Sequence, residues 1–331
     1  MRARPRAPSD MPNEGPRVTE ILIIVLPVFV IVGLGYVSVK AGLVQDSAVD
    51  VLLRFCTGIA MPLLLFSGVV RLDLAANFDL RLMLSFYLGA LISFGVGYLG
   101  ARLIFKRRPG EAVAIGFCAL FSNSLLLGVP VTERAYGVAA LDSNYAILSI
   151  HAPFCYLVGI VAMEMARADG RSGLETAKAA ARMMFRNALT IGLAIGMAWN
   201  LLGVPIPDPV FEGVRMLGRG GLPVALFALG GAMTRYKVRD GIGETLMASA
   251  LALILHPLIT WAMSDLVFEL PENFLRSAIV TASMPPGINA YLFATMYARA
   301  SGVAASTVLV ATTLSIFTAS GWLTLLHQIA P

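Results

Sequence analysis

Ten long apolar runs limit what this chain can become. They cover about residues 20–39, 48–70, 80–105, 111–131, 143–166, 187–203, 214–233, 244–268, 273–298 and 303–326. A run of roughly twenty apolar residues is what a helix needs to cross ~30 Å of hydrocarbon. Backbone N–H and C=O groups find no partner in lipid, so a spanning segment must satisfy them within a helix or a closed barrel. Barrel strands alternate in polarity and are nearer ten residues long, which excludes a barrel here. Only 14% of the 331 residues are charged, against about a quarter in soluble chains. The chain reads as an all-α membrane protein with ten transmembrane helices in a lipid bilayer.

The first run follows an arginine-bearing tail, residues 1–19, in which Met11 offers an alternative start. The run is too long for a signal-peptide core and lacks a small-x-small cleavage site, so it reads as a retained helix. Cys56, Cys118 and Cys155 all fall inside runs. An odd count at membrane depth gives neither a disulfide framework nor metal-ligand spacing, and no metal or cofactor is expected. A net charge of +5 raises the question of nucleic acid, but the basic residues sit in short loops beside the spans. Thirteen lysines and arginines fall on the side of Lys40, Lys106–Arg108, the 167–186 segment, Arg235 and Arg299. Five fall on the other side, with four more in the tail. The positive-inside rule then puts both termini on the non-cytoplasmic side of a bacterial inner membrane.

Two copies of one unit emerge from internal comparison. Span 2 holds Pro62 with Phe66 four residues on, and span 7 holds Pro223 with Phe227 four residues on. Span 4 carries Ser122-Asn123-Ser124 with Gly128 and Pro130, and span 9 carries Pro285-Pro286-Gly287 with Asn289. Pro62 lies 61 residues before Asn123 and Pro223 lies 62 before Pro285, so the copies are in register. Five spans per copy, an odd number, force the second to start from the opposite face. Residues 20–166 and 187–331 are thus expected to be inverted five-helix repeats. Residues 167–186, with Lys178, Arg182 and Arg186 at four-residue spacing, read as an amphipathic cytoplasmic linker.

Inverted repeats with paired broken helices point to secondary transporters, with the site where the breaks meet. Prolines also kink membrane helices without function, but matched breaks in both copies favour the site. A half-helix that starts at a break exposes free N–H groups and a partial positive charge, which together suit an anion. Ser122, Asn123, Ser124, Pro285, Pro286, Gly287 and Asn289 are the candidate substrate residues. Pro62, Gly128, Pro130 and Pro223 are the candidate breaks or hinges. The same carbonyls could coordinate sodium, but Glu111, Glu164, Asp265 and Glu269 lie toward span ends. His256, well inside span 8, is either a proton relay or a neutral ring bonded to a carbonyl freed by Pro257. His151, beside Pro153, poses the same choice. Arg54, one turn into span 2, can snorkel to an interface as a structural residue. No Walker A, HExxH or GxSxG motif is present, and the GxGxxG match at Gly95-Val-Gly97-Tyr-Leu-Gly100 lies inside an apolar run rather than between a strand and a helix, so no enzyme is expected.

These stretches resemble the auxin efflux carrier family, whose bacterial members include malate and malonate permeases. The resemblance lies in Leu26-Pro27-Val-Phe29, Gly33-Leu-Gly35-Tyr36, Arg54-Phe55, Met61-Pro62-Leu-Leu-Leu-Phe66 and Asn123 through Gly128-x-Pro130. It continues in Pro285-x-Gly287-Ile288-Asn289, Leu292-Phe-Ala294 and Thr312/Thr313 to Thr318. It implies ten helices in inverted repeats with helices 4 and 9 broken where they cross. Helices 1, 2, 6 and 7 would form a scaffold able to dimerise, and helices 3–5 and 8–10 a moving transport domain. A small organic anion would bind at the crossover and travel by an elevator-like motion. A sodium-coupled carrier of larger, bile-acid-like anions and a ligand sensor on a transporter fold are the alternatives. The long cytoplasmic loop of the plant carriers is missing, and span 3 has no deep acidic residue.

Overall fold

A computed structural model describes residues 18–167, 187–236 and 241–329. The expected linker beyond Arg167 and nearly all of the expected tail lie outside these residues. Among the described residues every regular element is helical, and extended backbone pairs only once, in an isolated antiparallel bridge. The first half contains α1 (Val18–Lys40), α2 (Asp46–Val69), α3 (Leu80–Leu103), α4 (Pro109–Leu120), α5 (Val129–Tyr136) and α6 (Leu141–Arg167). The second contains α7 (Ala188–Leu202), α8 (Asp208–Met233), α9 (Ile242–Val267), α10 (Glu272–Ala282), α11 (Ile288–Met296) and α12 (Ser301–Ile329). Seven helices, α1, α2, α3, α6, α8, α9 and α12, are long and apolar enough to cross a membrane. The other three apolar runs are the 15-residue α7 and two runs divided into α4–α5 and α10–α11.

Prolines shape these helices in a regular way. Proline cannot donate to the carbonyl four residues back, and its ring crowds that carbonyl. A π turn, one residue wider, relieves the crowding without ending the helix. Such turns occupy Cys56–Ala60, Ser124–Gly128 and Leu251–Leu255, each ending two residues before Pro62, Pro130 or Pro257. Neither Pro62 nor Pro223 breaks its helix: α2 only widens, and α8 runs as unbroken α-helix through Pro223.

Large apolar side chains face outward along the helices, among them Leu34, Leu103, Met165 and Phe317. This is the reverse of a soluble surface and suits lipid contact. Helix contacts rely on small residues, as expected where lipid gives no hydrophobic gain for association. A Cβ on Gly35 would sit 1.9 Å from the Phe227 carbonyl oxygen, and one on Gly230 1.8 Å from that of Val32. Glycine is therefore what lets α1 and α8 touch backbone to backbone. Deeper in, Phe117 of α4 stacks on Phe293 of α11 at 3.9 Å between ring centroids.

Candidate functional site

The two interrupted runs meet at their breaks. Helix α4 stops at Leu120 and helical turns resume at Ser124; α10 stops at Ala282 and α11 begins at Ile288. Pro285 and Pro286 have no N–H, so this segment can offer a neighbour only carbonyls. Asn123 N donates to the Pro285 carbonyl at 2.7 Å, and Ser122 pairs with Pro286 in the antiparallel bridge. Gly287 lies so close to Asn123 that a Cβ there would be 3.0 Å from Asn123 Cγ. Asn144 of α6 ties the parts together, donating to Thr132 Oγ1 of α5 (3.2 Å) and Thr281 Oγ1 of α10 (2.8 Å).

A cavity of about 80 Å³ sits against this junction, walled by Ser122, Asn123, Ser124, His151, Ile288 and Asn289 together with Thr57 and Met61 of α2. No Asp, Glu, Lys or Arg is among its wall residues. Asn123 is buried and its Nδ2 has no hydrogen-bond partner among the described residues. Buried donors are normally paired, so an unpaired amide in a cavity wall needs an explanation. Asn289 is half-buried, and its Oδ1 accepts from Tyr156 Oη at 3.3 Å. This leaves the Asn289 amide nitrogen as its donor group. The serine hydroxyls are 2.6 Å apart, and Ser124 Oγ also lies 3.3 Å from the Ser122 carbonyl. They are therefore engaged mainly with each other.

Thus Ser122, Asn123, Ser124 and Asn289 share one wall, while Pro285, Pro286 and Gly287 stand behind it as backing. Pro62, Gly128, Pro130 and Pro223 touch neither this cavity nor the larger one beside it. His256 is one layer farther out. Its Nε2 lies 3.2 Å from the Phe86 carbonyl, whereas the carbonyl of Leu253, four residues before Pro257, accepts from Trp322 Nε1 at 3.0 Å. The ring therefore bonds a carbonyl of α3, and a tryptophan takes the one freed by proline. His151 is the histidine at the junction, with Nε2 3.1 Å from the Ser122 carbonyl. Phe86 lies between the two rings, 5.5 Å from His151 and 5.0 Å from His256. His151 carried a sequence signal in its neighbour Pro153; Thr57, Asn144 and Tyr156 carried none.

Thr57, Leu189, Ile288 and Asn289 also line a second cavity, of about 1080 Å³. It reaches Asp50, Arg54 and Arg235 on the side of the Lys40 loop. Glu111, Glu164, Asp265 and Glu269 line neither cavity. The three cysteines are free and buried.

The family described as Membrane transport protein matches residues 20–323. The chain belongs to that family, the auxin efflux carriers and their relatives. A Rhizobium meliloti protein named "Putative malonate transporter" is 24% identical over 317 residues, covering 94% of this chain and 97% of that one. An "Uncharacterized transporter" of Methanothermobacter thermautotrophicus is 26% identical, covering 90% and 96%. The rice "Probable auxin efflux carrier component 5b" is 24% identical, covering 90% and 95%. This chain is a multi-pass membrane transporter.

Proposed function

We propose that the protein is a secondary transporter or facilitator of small organic anions, mono- or dicarboxylates or auxin-like acids. The observation that carries this reading is the paired break, in which Asn123 N meets the Pro285 carbonyl and two asparagine amides face one uncharged cavity. A carboxylate there would be held by amide donors and half-helix ends, without a buried lysine or arginine. Such a site can also let its ligand go. The names of the malonate and auxin relatives agree with an anionic cargo.

In this reading the chain crosses a bacterial inner membrane ten times as two inverted five-helix repeats, with both termini on the non-cytoplasmic side. The runs α4–α5 and α10–α11 are the broken crossing helices. Helices α1, α2, α7 and α8 form a scaffold through which two copies can dimerise; α3–α6 and α9–α12 carry the site in an elevator motion. The larger cavity opens toward the cytoplasm. The Phe86 ring, which can carry no proton, separates His256 from His151, so in this reading His256 is the neutral ring bonded to a backbone carbonyl rather than a proton relay.

Uptake of labelled malonate into proteoliposomes tests the site. Asn123→Ala and Asn289→Ala should each lower uptake about 10- to 100-fold, the worth of a hydrogen bond to a charged group. Undiminished uptake in both variants would remove the assignment. Replacing sodium by choline should leave the rate unchanged, and a collapse would favour the sodium-coupled reading.

A further inference from the structure

One face of α2 runs through both cavities. Arg54, Thr57 and Gly58 line the larger one, and Thr57, Met61 and Leu65 line the smaller. Their three- and four-residue spacing is that of a single helix face, bent only by the π turn at Cys56–Ala60. Polarity falls along it, from a guanidinium through a hydroxyl to two apolar side chains. Thr57 stands where the cavities join.

The charges around Arg54 are arranged unusually. Asp50 lies one turn before it, at the i, i+4 spacing where an ion pair would form. Arg235, just after α8, takes that carboxylate instead, with Nη1 2.7 Å from Asp50 Oδ1. It also holds Asp46, with Nε 2.7 Å from Oδ1. Arg235 thereby bridges both acids at the start of α2 from across the structure. Arg54 is exposed and has no hydrogen-bond or ion-pair partner among the described residues. The charged residues in the large cavity's wall are Asp50, Arg54 and Arg235, and of these Arg54 is the one without an ion pair among the described residues.

The geometry points to Arg54 as an entry site for the anion, a first charge contact that concentrates small carboxylates in the large cavity one helical turn before Thr57. A charge held at a cavity wall, next to low-dielectric surroundings, acts more strongly on a passing ion than the same charge in open water. A guanidinium can also grip a carboxylate with two hydrogen bonds. The uncharged junction beyond then receives an anion already gathered by a charge that stays on α2. For its ligand class this inference rests on the anion reading above, but its test does not.

Thr57→Cys places a thiol at the meeting of the cavities, and the native cysteines are buried. In detergent, the rate at which this thiol reacts with the anionic reagent 2-sulfonatoethyl methanethiosulfonate is compared with that for its cationic trimethylammonium counterpart. With Arg54 present the anionic reagent should be favoured relative to the same pair of rates on a small free thiol, and Arg54→Gln should lower the rate ratio about tenfold, the low end of electrostatic steering. Arg54→Lys should keep most of it. An unchanged ratio in Arg54→Gln overturns the inference. Should that variant not fold, the Thr57→Cys protein alone decides, because its ratio must fall toward that of a small free thiol in the same buffer as salt rises from about 0.02 to 0.5 M. A ratio flat in salt overturns the inference too. Neither result touches the junction, whose own test is the loss of uptake in Asn123→Ala.

Discussion

Asparagine at 123 has three tasks at once. Its backbone N–H closes the junction on Pro285, its carbonyl accepts from Leu127 and Gly128 at 3.1 and 3.2 Å, and its amide nitrogen is left toward the cavity. A leucine could perform the first two and not the third. Away from the membrane core, Asp79 shows how a single carboxylate works in a loop. It caps α3, accepting from Arg81 N at 2.7 Å, and pairs with the Arg81 side chain. The Arg81 guanidinium beside it holds the Asp79 carboxyl below its ordinary 3.8. A carboxylate whose folded value is depressed stabilises the fold above the unfolded value, and that contribution fades as pH falls through the folded one. Asp79→Ala should therefore cost about 1 kcal/mol near neutral pH, as a lost N-cap does. The gap from wild type should narrow below pH ~4 in thermal unfolding of the detergent-solubilised protein. A gap that widened in acid would contradict this account.

Among the elements, α1 and α8 show what holds membrane helices together when apolar burial cannot. Their closest approach depends on Gly35 and Gly230, each facing a carbonyl of the other helix. Gly230→Ala has no flexible side chain to displace, so the helices must separate at a cost of about 1–3 kcal/mol. Gly33→Ala on α1 is the control, since nothing lies within 4 Å of its added Cβ. Thermal unfolding should show the first substitution lowering the midpoint and the second leaving it nearly unchanged. Equal effects would mean that glycine serves α1 and α8 through something other than close contact. The π turns belong to this scale as well. Pro62, Pro130 and Pro257 let their helices continue by widening one turn, whereas two successive prolines followed by Gly287 end a helix outright.

For the molecule as a whole, the proposed elevator requires the transport helices to slide against the scaffold. Arg219 of α8 pairs with Glu133 of α5 at 2.5 Å, and Arg134 of α5 donates to the Ile24 carbonyl of α1 at 2.8 Å. Both contacts join groups that must move apart, on the side away from the large cavity. Glu133→Cys with Arg219→Cys, joined by a reducible bifunctional thiol reagent, should abolish malonate uptake, and a reductant should restore it. Full uptake by the joined protein would rule out the sliding motion. The single cysteine variants treated alike show whether modification alone slows the carrier.

The apolar runs determined that the chain is helical and lies in a bilayer, because each run must satisfy its own backbone in lipid. Matched punctuation in the halves also located Ser122, Asn123, Ser124 and Asn289, since residues that break a helix are visible one at a time. Whether a proline breaks or merely widens its helix was not legible, because that depends on neighbours able to take the freed carbonyl, as Trp322 does for Leu253. Partnership was equally hidden. Only the packed chain sets His151 rather than His256 at the junction, and only there does Arg235 draw Asp50 away from Arg54. Those contacts join residues far apart in sequence, where no local spacing can announce them.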